Sequence, residues 1–237
     1  MTGAERMRRF WDERAGEDAF FFVDDRQAYR GTDEAAFWAS GEEGLDALLS
    51  ILGVELDPAH DVVEVGCGVG RMTRAIAARA RSVRALDVSE RMLALAREHN
   101  PALESVEWVH GDGRSLAGIE DASADAVVSH VVFQHIPDPQ VTLGYVREIG
   151  RVLRPGGFAA FQVSNDPDVH RPRIGLRDRL AALLGRAPRG QSRPEWLGSA
   201  VDLGELRTAA AAGGTDVERV EGEGTQFCLV LLRRREA

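Results

Sequence analysis

The stretch that most constrains the fold is a strand-like run that stops on glycines. Residues Asp61 to Thr73 read DVVEVGCGVGRMT. Val62–Val65 is a short apolar run of the kind a parallel sheet buries on both faces, and it contains one carboxylate, Glu64. Gly66, Gly68 and Gly70 then alternate with other residues, and a helical pattern begins at Arg71. Glycine at a strand end lets peptide N–H groups approach a ligand with no Cβ in between. A strand, a glycine turn and a helix in that order open a βαβ unit.

The chain keeps that rhythm for the next hundred residues. Strands are expected over Val83–Asp87, Val106–His110, Ala126–Val132 and Phe158–Val163. Helices are expected over 71–80, Glu90–His99 and Pro139–Leu153, the last burying Val141, Val146, Ile149 and Val152 and stopped by Pro155-Gly156-Gly157. Val201–Ala212 reads as a helix, and Val217–Glu221 with Gln226–Leu232 as a closing hairpin. Apolar strands alternating with helices give an α/β fold with a mostly parallel sheet covered on both faces.

The front end differs. Residues 4–15 read as a helix with Met7, Phe10 and Trp11 on one face, followed by Phe20-Phe21-Phe22. Ser40 and Glu43 have capping-box spacing and place a helix start there, ahead of Leu45, Leu48, Leu49 and Leu52. Residues 1–57 are therefore assigned as a helical cap and 58–237 as the core. Within the core, 164–200 is rich in Pro, Gly and Arg, with a helix expected over 174–185. A connection of that length in a compact domain is usually functional, so it is assigned as a substrate-side insertion.

Charge and cysteine content exclude several classes. The formal net charge of −9 disfavours a nucleic-acid partner, which needs a basic face. Cys67 and Cys228 are far apart and lack metal spacing, so neither a disulfide framework nor a metal site is expected. The first residues have no apolar h-region, and no run approaches the roughly 20 apolar residues of a membrane span. The expectation is a cytoplasmic protein without membrane contact, monomeric or homodimeric.

The glycine turn does not fit the two common phosphate-binding patterns. A dinucleotide fingerprint wants a third glycine where Arg71 stands, and no Gly-Lys-Ser/Thr follows for a P-loop. Glu64 beside the turn suits a cationic ligand. At these residues the sequence resembles the class I S-adenosylmethionine-dependent methyltransferases, whose first motif is an acidic residue followed by alternating glycines. Arg84-Ala85-Leu86-Asp87, His110-Gly111-Asp112-Gly113, the segment SHVVFQHIPD from Ser129 to Asp138, and Leu153-Arg154-Pro155-Gly156-Gly157 match the family's later segments in register. The likeness covers about 60–235 and is nearest in kind to enzymes acting on quinones and antibiotic sugars.

The resemblance implies a three-layer, Rossmann-like, seven-stranded, mostly parallel sheet with one antiparallel strand, plus the N-terminal helical cap acting as a lid. It implies S-adenosyl-L-methionine as cofactor, no metal, and a small-molecule acceptor methylated at oxygen or nitrogen more readily than carbon, in natural product biosynthesis. By position, Glu64, Gly66, Cys67, Gly68 and Arg71 would surround the cofactor at the turn. Asp87 would take the ribose hydroxyls, with Val88, Met92, Gly111, Asp112 and Gly113 on the adenine side. Ser129 and His130 would lie toward the methionine end. His135 is the candidate general base, with Asp166 to orient it. The acceptor pocket would draw on Phe20, Phe21, Phe22, Tyr29, Phe37 and Trp38, and on Arg171, Arg173, Arg177, Arg179, Arg186, Arg189 and Arg193 for an anionic acceptor. The rival readings are a non-catalytic cofactor-binding partner and an NAD(P)-dependent oxidoreductase.

Overall fold

The computed structural model describes residues 1–171, 181–182 and 184–236. The helix expected over 174–185 falls largely outside them, as do Arg173, Arg177 and Arg179.

Two helices, α1 (Gly3–Val23) and α2 (Glu34–Leu52), precede the sheet. Then follow β1 (Asp61–Val65), α3 (Thr73–Ala77), β2 (Ser82–Asp87), α4 (Glu90–His99), β3 (Val106–His110) and β4 (Ala124–Ser129). The chain continues with α5 (Pro139–Val152), β5 (Leu153–Val163), the short α6 (Pro194–Leu197), α7 (Leu203–Ala212), β6 (Thr215–Glu221) and β7 (Cys228–Arg234). The seven strands lie in the order β3-β2-β1-β4-β5-β7-β6. The central pairs are parallel, and β7 runs antiparallel to both β5 and β6. This is the Rossmann-like sheet with one antiparallel strand that the sequence implied.

Alternation along the strands builds the two faces. Val63, Val65, Phe161, Val163, Val230 and Leu232 face α5 and α7, where Val146, Ile149 and Leu206 are fully buried. Val62, Val83, Ala160, Leu229 and Leu231 face the other layer, made by Leu45, Leu48, Leu49 and Leu52 of α2 with Ile76 and Leu93. Each buried leucine contributes about 1.5–3 kcal/mol relative to exposure. So α2 is a layer of the core, and of the two front helices only α1 lies over the functional cavity described below.

Several boundaries depart from the sequence pattern for local reasons. Helix α1 continues to Val23, because beyond its kink at Asp18 that residue's carboxylate accepts the Phe21 N–H at 3.2 Å and starts a new turn. Helix α2 starts at Glu34, capped by Asp33, whose carboxylate accepts the Ala36 N–H at 3.1 Å. Ser40, expected as the cap, sits inside it with its hydroxyl 3.0 Å from the Asp24 carboxylate. Strand β5 begins at Leu153, so Pro155-Gly156-Gly157 lies in the strand. Strand β4 ends at Ser129, ahead of Val131, whose φ is +58°. No helix among the described residues is long and apolar enough to cross a membrane.

Helix α5 and the end of α7 approach each other closely through backbone at Gly150 and Gly213. A Cβ on Gly150 would lie 2.1 Å from the Gly213 carbonyl oxygen, and backbone cannot swing aside. Gly150→Ala should therefore destabilise the protein by about 1–3 kcal/mol. Its Tm should fall by several degrees in a thermal melt, while Gly144→Ala on the same helix, with only an ordinary 3.7 Å contact, leaves it nearly unchanged.

Candidate active site

The chain leaves β1 toward β2 on one side and returns as β4 on the other. The loops after β1 and β4 therefore part and open a crevice at the carboxyl end of the sheet. A cavity occupies it. Its wall is the glycine turn with Glu64 and Arg71, then Asp87 and Val88, Met92, Gly111 and Gly113, the run His130 to Phe133 with His135 and Ile136, and Tyr145. Helix α1 closes it with Met7, Trp11, Phe22 and Val23.

The turn is held by the protein itself. Gly66 and Cys67 donate their N–H groups to the Leu86 carbonyl at 2.7 and 2.9 Å, and Gly70 donates to the Cys67 carbonyl at 2.9 Å. Gly68 donates to the Asp87 carboxylate at 2.9 Å. The Cys67 N–H, expected to meet a ligand, is thus engaged inside the fold, as are those of Gly66, Gly68 and Gly70. The glycines serve the close approach: Gly66 has φ +78°, and a Cβ there would lie 2.3 Å from the Val132 side chain.

Two carboxylates face the cavity instead. Glu64 is 4% exposed and accepts the Thr73 hydroxyl at 2.5 Å. Burial pushes its pKa up to about 7, with the Asp87 charge adding and Thr73 and Arg71 opposing. Burial also raises Asp87, against the N–H groups of Ser89 (2.8 Å) and Gly68 that favour its anion. Each carboxylate keeps accepting positions beyond those bonds. A ligand offering hydroxyls and positive charge would complete them.

Arg71 and His130 supply the complementary end. Arg71 is 6% exposed and donates from Nη1 to the Ser40 carbonyl at 2.9 Å, while its Nε is buried without a partner. His130 Nδ1 is likewise buried and unpartnered. Burial, then the Arg71 and Arg26 cations, lower the His130 pKa to about 4, so the ring is neutral. A carboxylate between these two groups would satisfy the Arg71 donor. Cys67 is a wall residue only, since burial pushes its thiol well up and keeps it protonated.

Other expected residues stand elsewhere. Gly111 and Gly113 line the cavity, but Asp112 turns into its own loop, accepting the N–H groups of Arg114 and Ser115 and the Ser115 hydroxyl, each at 2.8 Å. Ser129 lies behind the wall and donates to the Val65 carbonyl at 2.9 Å. Asp166 does not orient His135; its carboxylate caps the turn Pro167–His170 through the Asp168 N–H at 2.9 Å. His135 does line the cavity, packed edge-on against Trp11 with centroids 5.6 Å apart. Its Nδ1 lies 2.6 Å from the Trp196 carbonyl, and its Nε2 lies 3.2 Å from the Gln134 amide nitrogen. Burial, reinforced by His170, holds its pKa down to about 4.

The expected acceptor aromatics divide. Of the six, only Phe22 reaches the cavity wall. Phe20, Phe37 and Trp38 cluster with one another and with His99 instead, and the Tyr29 hydroxyl donates to Glu17 at 2.8 Å. None of the described arginines between 164 and 200 lines the cavity; Arg171 pairs with Asp168 at 3.0 Å. Sequence reasoning missed Met7 and Trp11 as wall residues, although their i, i+4 spacing on one helical face was visible.

Residues 63–161 match the family described as "Methyltransferase domain". A curated relative, the ubiquinone biosynthesis O-methyltransferase of Idiomarina loihiensis, is 32% identical over 155 residues, which are 63% of this chain and 60% of that protein. The chain spans less than two thirds of the length of the curated relatives it matches. Among solved structures, an S-adenosylmethionine-dependent methyltransferase from Mesorhizobium loti is 24% identical with a TM-score of 0.58, covering 79% of this chain and 96% of that one. Phosphoethanolamine N-methyltransferase 1 of Haemonchus contortus, solved with phosphoethanolamine and S-adenosylhomocysteine, aligns over all of this chain and 50% of its own at a TM-score of 0.69 and 16% identity. Residues 63–161 therefore match the methyltransferase-domain family, and the chain shares the fold of the Mesorhizobium loti structure.

Proposed function

We propose that the chain transfers a methyl group from S-adenosyl-L-methionine to a small-molecule acceptor, at oxygen or nitrogen more readily than carbon. The observation that carries this is the polarity of the cavity. It sets two buried carboxylates beside a buried arginine and a neutral histidine, and the Gly66, Cys67, Gly68 and Gly70 N–H groups of its glycine turn are already engaged within the protein. The same observation weighs against a dinucleotide. The methyltransferase domain and the O-methyltransferase relative support the reaction class.

When bound, the cofactor supplies an activated methyl on a sulfonium with a good leaving group. The chain's own residues would hold it: Asp87 the ribose hydroxyls, Arg71 with His130 the carboxylate, and Glu64 the positive charge. Met7, Trp11 and Phe22 on α1 exclude water above it. Catalysis then rests on holding acceptor and methyl in line. His135 does not supply a free base, because both ring nitrogens are engaged within the protein. The acceptor would bring its own lone pair, as an amine or an ionised hydroxyl does. A non-catalytic binder would share every cofactor contact and differ only in lacking turnover.

Calorimetric titration tests the reading. S-adenosylmethionine and S-adenosylhomocysteine should bind at micromolar concentrations and NADH should not; binding of NADH alone would refute it. Asp87→Ala should weaken S-adenosylhomocysteine by about 1–3 kcal/mol, measured in the same calorimeter.

Glu64 predicts the pH dependence. Its free-state pKa of about 7 lies above the ordinary carboxyl value, so the empty protein favours the protonated form. Stability from this shift is present at low pH and is lost as pH rises through about 7. A bound cation favours the carboxylate and drives the proton off. Affinity for S-adenosylmethionine should therefore fall up to about tenfold per pH unit below 7. In Glu64→Gln that slope should vanish.

A further inference from the structure

Val131 is a β-branched residue with φ +58°, a left-handed conformation that such side chains rarely adopt. It stands on the cavity wall two residues after β4, within four successive residues, His130 to Phe133, that all reach the cavity. Its N–H donates to Gln162 Oε1 at 2.9 Å. Gln162 is fully buried near the end of β5. Its amide nitrogen donates to Gln134 Oε1 at 2.7 Å and to the Gln226 carbonyl at 2.5 Å. The Gln134 amide nitrogen then meets His135 Nε2 at 3.2 Å, and His135 Nδ1 meets the Trp196 carbonyl at 2.6 Å.

Backbone groups fix the direction of every bond in this relay. The Val131 N–H can only donate, so it faces Gln162 Oε1 and turns the Gln162 nitrogen toward Gln134. Gln134 must then accept with its oxygen and donate with its nitrogen. His135 Nε2 is left as the acceptor. The Trp196 carbonyl at the other end can only accept, so the ring proton sits on Nδ1. Both ends demand the same tautomer.

We infer that Gln162 is a positioning residue: it holds the left-handed Val131 in place and, through Gln134, sets His135 as a neutral imidazole protonated on Nδ1. Its meaning for turnover rests on the methyl-transfer reading; its structural content does not. The titratable group that acts on the ring is His170, on the turn Pro167–His170, and on α6 Glu195 is paired with Arg6 at 3.9 Å. Neither is a link in the relay.

The test is nitrogen NMR of the histidine rings in the full chain, assigned with a His135→Gln control. In the unmodified protein His135 should show a protonated Nδ1 and a bare Nε2 from pH 5.5 to 8. Gln162→Glu keeps an acceptor for the Val131 N–H but removes the donor to Gln134. The Gln134 amide then reverses, presents oxygen to Nε2, and draws a proton onto it. His135 should become doubly protonated, with its titration midpoint raised by roughly two units or more. With an acceptor found by screening, kcat of Gln162→Glu should fall at least tenfold while affinity for S-adenosylhomocysteine changes less than about twofold.

A proton on Nε2 in the unmodified protein overturns the inference without any variant having to fold. An unchanged His135 titration in folded Gln162→Glu also overturns it, and a shifted titration with unchanged kcat overturns its meaning for turnover alone. A chain that shows the expected ring signals but binds no sulfur ligand refutes only the methyl-transfer reading.

Discussion

The site depends on the end of β2 holding the turn after β1. Leu86 offers one carbonyl to two successive N–H groups of the glycine turn, and Asp87 offers its carboxylate to a third. The other oxygen of Asp87 takes the Ser89 N–H, and the Ser89 hydroxyl donates to Asp12 on α1 at 2.6 Å. One strand end thus shapes the turn, starts α4 and fastens the covering helix. The turn holds its shape before any ligand arrives, because four of its N–H groups, those of Gly66, Cys67, Gly68 and Gly70, are satisfied within the protein.

Polar groups are left exposed to that cavity in a narrow selection. Two acids in a poorly solvated space repel each other and lose water, which is why burial dominates the upward shift of both. The histidines are neutral for the same reason with the opposite sign. What remains for a guest is hydrogen-bond acceptance near Glu64 and Asp87, donation from Arg71, and apolar contact from α1. The cavity joins a polar floor on the sheet to an apolar roof on a helix.

Most of the fold was legible in the sequence because its signals are local. Strand periodicity, the glycine turn and Asp87 at the end of β2 depend on neighbours only a few residues away. What was not legible depended on distant partners. Ser40 has the spacing of a helix cap, but its hydroxyl is taken by Asp24, 16 residues away in sequence. Asp112 has the look of a ligand residue, yet its own following turn satisfies it. Asp166 was assigned to His135 by proximity in sequence to β5, whereas the carbonyl that meets the ring belongs to Trp196. No pattern in the chain marks a backbone carbonyl as a partner. The relay from Gln162 was invisible for the same reason, since it joins residues from the segment after β4, from β5 and from α6 that share no motif.

The division of labour between the two cavity carboxylates has an evolutionary consequence. Asp87 is both wall and fastening, so any replacement must preserve the turn before it can alter what binds. Glu64 is tied to the fold by one side-chain bond, to Thr73. Position 64, paired with 73, is where a lineage built on this scaffold is free to drift in the charge of its guest, while position 87 is confined by the architecture it keeps closed.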